Sequence, residues 1–355
     1  MLEPYNVRSN HYYALACASP TSADPSIPLM QNDDAGLLRR IGAGACGTVW
    51  SSPSSEETSI AYKREDGGTS RSLSNDFTMH RRLLDSVFGC LPQPSRIQVP
   101  ECRRFITSSD LWWDENSYRF PVGYLPCNLI QAQRIPPISQ RARLTLIERY
   151  CPASLREEIL SSAENRDCLI RPYLGRRRVL ANASRRMKFQ AFSLRNYPLH
   201  LDQMEELGIP LDHLELYARS MAETLAVMHW GAGIDGNDIE FVLGSPSPAP
   251  SPRSIVRSEN ILGTHVVWVL DFDLCREMPM NEEGVQQAVT AFYKNDPFYP
   301  RPLSSPSLWK VFREQYLLSS VEVIVDAPNK DKRAFLSRRF IETIEKREGA
   351  SESHV

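Results

Sequence analysis

Long apolar runs are missing from this 355-residue chain. No stretch of about 20 apolar residues occurs, so no transmembrane helix is expected. Met1-Leu2-Glu3-Pro4-Tyr5 has neither a basic start nor an apolar core, so a secretory signal is not expected either. Ser351-Glu352-Ser353-His354-Val355 matches no lipidation or retention signal. A surplus of charge is lacking as well. The net charge is −2, so no overall basic field draws the chain to nucleic acid or to an anionic membrane. Paired cysteines are absent: the eight are scattered, and no two are separated by only two residues. That spacing excludes finger-type zinc and redox pairs. In an unsecreted chain the thiols are expected to be reduced and to serve packing. There is no internal repeat. What remains is an ordinary soluble composition, long enough for one large domain or two lobes, with a cytoplasmic location expected and a nuclear one as the alternative.

The most informative stretch present is Ile41-Gly42-Ala43-Gly44-Ala45-Cys46-Gly47-Thr48-Val49. It has the pattern G-x-G-x-x-G-x-V. Glycines at this spacing let a backbone turn approach phosphate oxygens without a Cβ in the way. In dinucleotide-binding proteins the pattern follows a strand and opens a helix. In protein kinases it lies between two strands, and a lysine follows on the next strand. Here the β-favouring Thr48-Val49-Trp50 comes at once, then a polar turn from Ser51 to Ser59, then Ile60-Ala61-Tyr62-Lys63. The order is strand, turn, strand with a lysine, which makes Gly42, Gly44, Gly47 and Lys63 the candidate phosphate-binding set. The plain alternative is a glycine-rich hairpin with a surface lysine.

The rest of the chain divides by pattern. Residues 1–35 mix Ser, Pro, Asn and Asp without periodicity and are expected to form a poorly ordered arm. Residues 36–136 carry short β-like runs at Leu37–Ile41, Thr48–Trp50, Ile60–Lys63, Arg103–Thr107, Tyr118–Gly123 and Leu129–Ala132, interrupted by one helix over Asn75–Phe88. From 137 to about 325 the pattern turns helical. Arg141–Tyr150 and Ser154–Ala163 are helix candidates. Leu214, Tyr217, Met221, Leu225 and Met228 recur at steps of three and four, one apolar face of a helix, ended by Gly231-Ala232-Gly233. Strands are expected at Ile239–Leu243 and Val266–Asp271, separated by a Pro/Ser-rich loop within 244–258 that cannot bury a core. Helices return at Glu283–Tyr293, Leu308–Leu318 and Lys332–Arg347, the last within a C-terminal segment, 326–355. The fold class expected is α+β, a small β-rich lobe followed by a larger helical one.

Phosphoryl transfer needs a phosphate cradle, a lysine, metal-holding carboxylates and a residue that orients the acceptor. Asp76, in the first turn of the predicted helix, is the candidate partner of Lys63, although a carboxylate there is also favoured by the helix dipole alone. Asp271-Phe272-Asp273 ends the apolar run Val266–Leu270 and resembles the kinase D-F-G with aspartate in place of glycine. Asp271 is therefore the candidate metal ligand. In Asp235-Gly236-Asn237-Asp238-Ile239-Glu240, Asp235 takes the place of the aspartate that orients an acceptor hydroxyl. Glu240 takes the place of the asparagine that binds a second metal, and a glutamate oxygen suits Mg²⁺. Asp238 competes for either role. A turn rich in Asp, Asn and Gly also forms without any function. The His-Arg that precedes the kinase aspartate is missing, since Gly233-Ile234 stand there, and no A-P-E follows Asp273. The one basic cluster, Arg176-Arg177-Arg178 with Arg185, Arg186 and Lys188, suits a solvated loop, with an acidic partner or nuclear import as the alternative.

Several longer blocks resemble a fungal family of unknown function that often carries the name "zinc finger protein". They are Cys168–Arg177, Ser193–Glu205, Met228-His229-Trp230 with Asp238–Gly244, Trp268–Asp273 and Asn295–Pro302, and together they span most of residues 100–305. The resemblance implies a filamentous-fungal source and a chain found singly or near secondary-metabolite gene clusters. It implies no activity. No ligand set with finger spacing accompanies the name, so no zinc is expected. The more remote resemblance, to the protein-kinase-like fold, implies ATP and Mg²⁺ as cofactors. Three readings follow: a pseudokinase that acts by binding a protein partner, an active phosphotransferase on a small-molecule or protein hydroxyl, and a nuclear regulator. Neither membrane nor nucleic acid is the expected partner.

Overall fold

The computed structural model describes residues 36–52, 59–90, 94–178, 191–248 and 254–352. Contacts divide the chain into Met1–Asp34 and Ala35–Val355, and all that follows concerns the second unit. The expected N-terminal arm, the tip of the Pro/Ser loop, and Arg185, Arg186 and Lys188 lie outside the described residues.

Among the described residues the architecture is mixed α and β, with two five-stranded sheets. The first half runs β1 (Arg39–Ala43), β2 (Thr48–Ser51), β3 (Ile60–Arg64), α1 (Leu73–Cys90), β4 (Cys102–Ile106), α2 (Trp112–Asn116) and β5 (Leu129–Gln133). These strands form an antiparallel sheet in the order β1-β2-β3-β5-β4. Side chains alternate across it. Tyr62 and Arg64 point to an aromatic layer with Trp50, Trp113 and Phe120. Ala61 and Lys63 point the other way, into a cleft. Helix α1 covers that second face through Leu73 and Leu84, which pack with Cys102 and Ile130.

The chain continues with α3 (Gln140–Tyr150), α4 (Arg156–Ser161), β6 (Ile170–Tyr173), β7 (Tyr197–His200), α5 (Leu201–Glu206), α6 (Leu211–Ala226), β8 (Glu240–Gly244), β9 (Ser258–Asn260), β10 (Gly263–Leu270), α7 (Glu282–Lys294), α8 (Pro306–Ile324) and α9 (Lys330–Glu352). Helix α6 buries Leu214, Tyr217, Ala218, Met221 and Leu225, the stripe its periodicity announces. It runs into one wider turn, Val227–Ala232, which Gly233 ends in the left-handed conformation (φ 65°). Helix α8 packs on α6, and α9 on α7 and α8. The second sheet has the order β7-β6-β8-β10-β9, with β6 and β7 parallel.

Three expectations are corrected. Tyr118–Gly123 forms no strand: a 3₁₀ turn, Ser117–Arg119, leads into a loop whose Phe120 caps the aromatic layer. Pro121, which lacks an N–H, cannot extend a ladder. The helix over Ser154–Ala163 is broken into a 3₁₀ turn, Ala153–Leu155, then α4, then a second 3₁₀ turn, Ala163–Arg166. The region beyond 137 is not simply helical, because β6, β7 and β9 enlarge a sheet there. Pro172 and Pro198 conceal β6 and β7 in the sequence. Both strands are short, and β6 touches β8 only at Ile170↔Leu243, so its proline costs no ladder bond to that neighbour.

Candidate functional site

The glycine loop turns between β1 and β2. Gly44 N–H donates to the Gly47 carbonyl at 2.8 Å. Gly47 has φ 150°, and a Cβ there would lie 2.2 Å from the Arg64 carbonyl, so only glycine fits. Gly42 and Gly44 are less constrained: a Cβ at Gly44 meets nothing within 4 Å. A second loop holds the first in place. Asp66 accepts from Thr48 N–H at 2.7 Å and from the Thr48 hydroxyl at 2.7 Å. Gly67 and Gly68 N–H donate to the carbonyls of Cys46 (3.1 Å) and Ala45 (2.9 Å). Arg64, buried against Trp113, Phe120 and Tyr124, donates through Nε to Asp66 at 2.9 Å. The loop conformation is thus tied to the aromatic layer on the far face of the sheet.

Beneath the loop lies a cleft of about 240 Å³. Gly42, Gly44, Gly47, Lys63, Asp76, Glu240 and Asp271 all line it, although they come from five separate places in the sequence. Lys63 Nζ donates to Asp76 at 2.6 Å and to Asp271 at 2.7 Å. Burial lowers the Lys63 pKa, but the two carboxylates more than reverse this and hold it well above its ordinary value. Burial raises Asp271, and Lys63 then brings it below the usual carboxylate range. Asp271 is delivered by the end of β10 in a left-handed conformation (φ 68°), which aspartate tolerates better than most residues. Asp76 also accepts from Phe272 N–H at 3.3 Å, and Asn75 donates to the carbonyls of Asp273 and Cys275, each at 2.9 Å. The start of α1 is therefore stitched to the segment after β10.

Asp235 is not brought into this group. Its side chain is fully buried. Oδ1 accepts from the N–H groups of Asn237 (3.1 Å) and Arg276 (2.9 Å), and Oδ2 from Gln287 Nε2 at 2.9 Å. These bonds spend the carboxylate on holding its own turn. Asp238, the competitor, is partly exposed and pairs with Arg71 at 2.6 Å. The same guanidinium reaches Asp273 at 3.0 Å. Burial and the neighbouring Asp271 raise Asp273 to about 6. Glu240 is raised to about 7 by burial and by Asp271, against the opposing pull of Arg171. Arg171 pairs with Glu240 and also reaches Asp296.

Several residues that line or brace the cleft gave no sign of a site role in the sequence, although Leu169, Arg171 and Asn196 fall within the resembling blocks. Arg171 and Leu169 come with β6, and Asn196 with the approach to β7. Asp167 lines the cleft mouth and pairs with Arg39 and with Arg134. Arg71 follows the Gly67–Gly68 turn. Their charges sit in unpatterned loops or short strands, and only pairing between distant segments brings them here. Two members of the basic cluster are neutralised: Arg177 pairs with Glu205, and Arg178 with Asp202 and Glu206, all on α5.

The described cysteines are free and dispersed, and no group of three or more His, Cys, Asp or Glu among the described residues is placed to hold a metal. A structural zinc needs four such ligands, so the described residues do not fit one. Mg²⁺ needs only one or two carboxylates when phosphates complete its shell, and Asp271 fits that role. Glu240, engaged by Arg171, does not. No helix among the described residues is long and apolar enough to cross a membrane. No curated protein matches the chain. Residues 267–328, from within the strand that delivers Asp271 to just past the end of α8, are similar to a family described as "Zinc finger protein".

Proposed function

We propose that the cleft is a nucleotide site and that the chain is a kinase-like protein of two lobes, 36–136 and 137–325, which binds ATP without turning it over and acts through a protein partner. The observation that carries this reading is Lys63, bonded to Asp76 on α1 and to Asp271 at the end of β10 beneath a glycine loop. A lysine placed between a helix carboxylate and a strand-end aspartate is the arrangement that orients phosphates and one metal ion in phosphoryl transfer. Gly42, Gly44 and Gly47 would cover the phosphates, Lys63 would hold them, and Asp271 would hold Mg²⁺. Against turnover stands Asp235, whose lone pairs are engaged by Arg276, Asn237 and Gln287. Among the described residues, the carboxylates that line the cleft, Asp76, Asp167, Glu240 and Asp271, are each held in an ion pair. The pairing of Arg177 and Arg178 with acidic residues counts against the nuclear, DNA-binding reading. The likeness to a filamentous-fungal family belongs to the same proposal.

The test is thermal unfolding of the purified chain with and without ATP and Mg²⁺, beside Lys63→Ala and Asp271→Asn, each compared with its own unliganded midpoint. Ligand at about a hundred times its Kd adds roughly 2.7 kcal/mol, a shift of several degrees for a chain of this size. The shift is expected in the wild type and not in the variants. No shift in the wild type removes the nucleotide reading. ADP formation that Asp235→Asn abolishes would replace the pseudokinase reading by the phosphotransferase one.

A further inference from the structure

Glu240 stands where a two-metal site would place its second ligand, yet a guanidinium already serves it. Arg171 lines the cleft, pairs through Nη2 with Glu240 and donates through Nη1 to Asp296 at 3.3 Å. Asp296 also accepts from the Tyr173 hydroxyl at 2.7 Å, which fixes the carboxylate that positions Arg171. Its Nε–H is buried and has no hydrogen-bond partner. A buried donor without an acceptor is costly, and here it belongs to a cleft residue. Arg171 owes its place to β6, which meets β8 at Ile170↔Leu243 and so brings the residue after Ile170 beside the start of β8. Arginine cannot lose its proton at any ordinary pH, and its planar fork suits carboxylate and phosphate alike.

We propose that Arg171 takes the place of the second divalent cation, so that the nucleotide enters this cleft with one metal ion, at Asp271, instead of two. The inference rests on the nucleotide reading given above. The guanidinium neutralises Glu240 and sets a fixed positive charge in the cleft that the ligand's phosphates can meet in place of a metal ion. A divalent ion at Glu240 would lie beside a fixed positive charge and would have to displace it. Asp271 is different: its partner is an ammonium shared with Asp76, and its side chain is 29% exposed to the cleft.

The experiment is a Mn²⁺ titration of the full chain with the non-hydrolysable analogue adenosine 5′-(β,γ-imido)triphosphate, with bound Mn²⁺ counted by electron paramagnetic resonance. One Mn²⁺ per bound nucleotide is expected in the wild type, in Arg171→Lys and in Glu240→Asn. Two are expected in Arg171→Gln, which frees Glu240. Two in the wild type, or one in a folded Arg171→Gln that still binds the analogue, overturns the inference. Should Arg171→Gln fail to fold, the counts in the wild type and in Glu240→Asn decide, and a second ion in either sinks it. Analogue bound with two ions leaves the nucleotide reading standing. Analogue that no folded protein binds removes that reading and this inference together.

Discussion

Replacing Lys63 should weaken the fold itself, and not only ligand binding. The ammonium serves two carboxylates at 2.6 and 2.7 Å, one of them on a side chain only 5% exposed. Removing one partner of a buried ion pair costs about 3–5 kcal/mol, because a charge is left without compensation. The cleft is partly open at Asp271, which places Lys63→Met near the lower bound, roughly 3 kcal/mol at pH 7.5, or about 5 °C in Tm. The pH dependence distinguishes this cause from lost packing. In the wild type, the raised Lys63 pKa makes its contribution complete below its ordinary value, losing it only as pH climbs through the alkaline range. The lowered Asp271 pKa makes its contribution present above about 4, losing it only below that. Both are therefore intact from pH 5.5 to 8. In Lys63→Met, Asp271, left without the cation that lowers its pKa, takes up a proton more readily as the pH falls. The deficit should shrink between pH 7.5 and 5.5, and Lys63→Met should cost less in an Asp76→Asn background. Urea unfolding of the four proteins at the two pH values measures all of this. A deficit below 1 kcal/mol at pH 7.5, or one that grows on acidification, refutes the reasoning.

Other predictions test neighbouring links. Gly47→Ala places a Cβ against the Arg64 carbonyl and a positive φ on a residue that resists it, so a loss of about 1–3 kcal/mol and of nucleotide-dependent stabilisation is expected by calorimetry. Asp66→Ala removes the acceptor of Thr48 and Arg64; it should leave far-ultraviolet circular dichroism unchanged yet increase hydrogen exchange across Gly44–Thr48. Asp273, raised to about 6, is costly to ionise, so wild-type stability declines as pH rises from about 4 through 6. Asp273→Asn should therefore gain on the wild type, by on the order of 2 kcal/mol at most, between pH 5 and 7.5. The Cys46 thiol, pushed up to about 11 by burial, should react with maleimide far more slowly than a free thiol at pH 7, as mass spectrometry can follow.

The parts of this molecule that were legible in the sequence share one property: their signal is local. Gly47 and Lys63 are fixed by spacing within two consecutive hairpins, Asp271 by its place at the end of an apolar run, and the α6 stripe by a period of three and four. Even Asp76 follows from its position in a helix first turn. What was illegible depends on pairing between distant segments. Arg171 reaches Glu240 across 69 positions, and Arg71 reaches Asp273 across 202. Asp235 fails as a cleft residue for the same kind of reason. Its spacing from Glu240 suits the role, but Gln287 and Arg276, far along the chain, claim its oxygens. Tyr118–Gly123 shows a further limit. Its Phe120 belongs to a core, but to a cap over the sheet and not to a strand in it, while Tyr118 and Val122 are exposed.

The distribution of arginine connects these observations. Every carboxylate that a phosphotransferase would leave available for a metal ion or an acceptor, other than Asp271, is held by a guanidinium or by backbone: Glu240 by Arg171, Asp238 and Asp273 by Arg71, Asp235 by Arg276 N–H and its neighbours. Lys63, by contrast, is a compact and flexible cation, suited to exchanging one carboxylate for a phosphate oxygen. A site built to turn over its ligand gains from leaving its charges ready to meet the transition state. A site whose charges are mostly satisfied before the ligand arrives gains rigidity instead. If this second logic governs the cleft, relieving one arginine at a time should loosen the fold sooner than it restores chemistry. Arg71→Ala is the sharpest case, because it frees Asp238 and Asp273 together while leaving in place the bonds of Lys63 to Asp76 and Asp271. Lower thermal stability with no ATP hydrolysis is the expected result, and hydrolysis appearing in that variant would show the arginine to be a removable brake on a competent site.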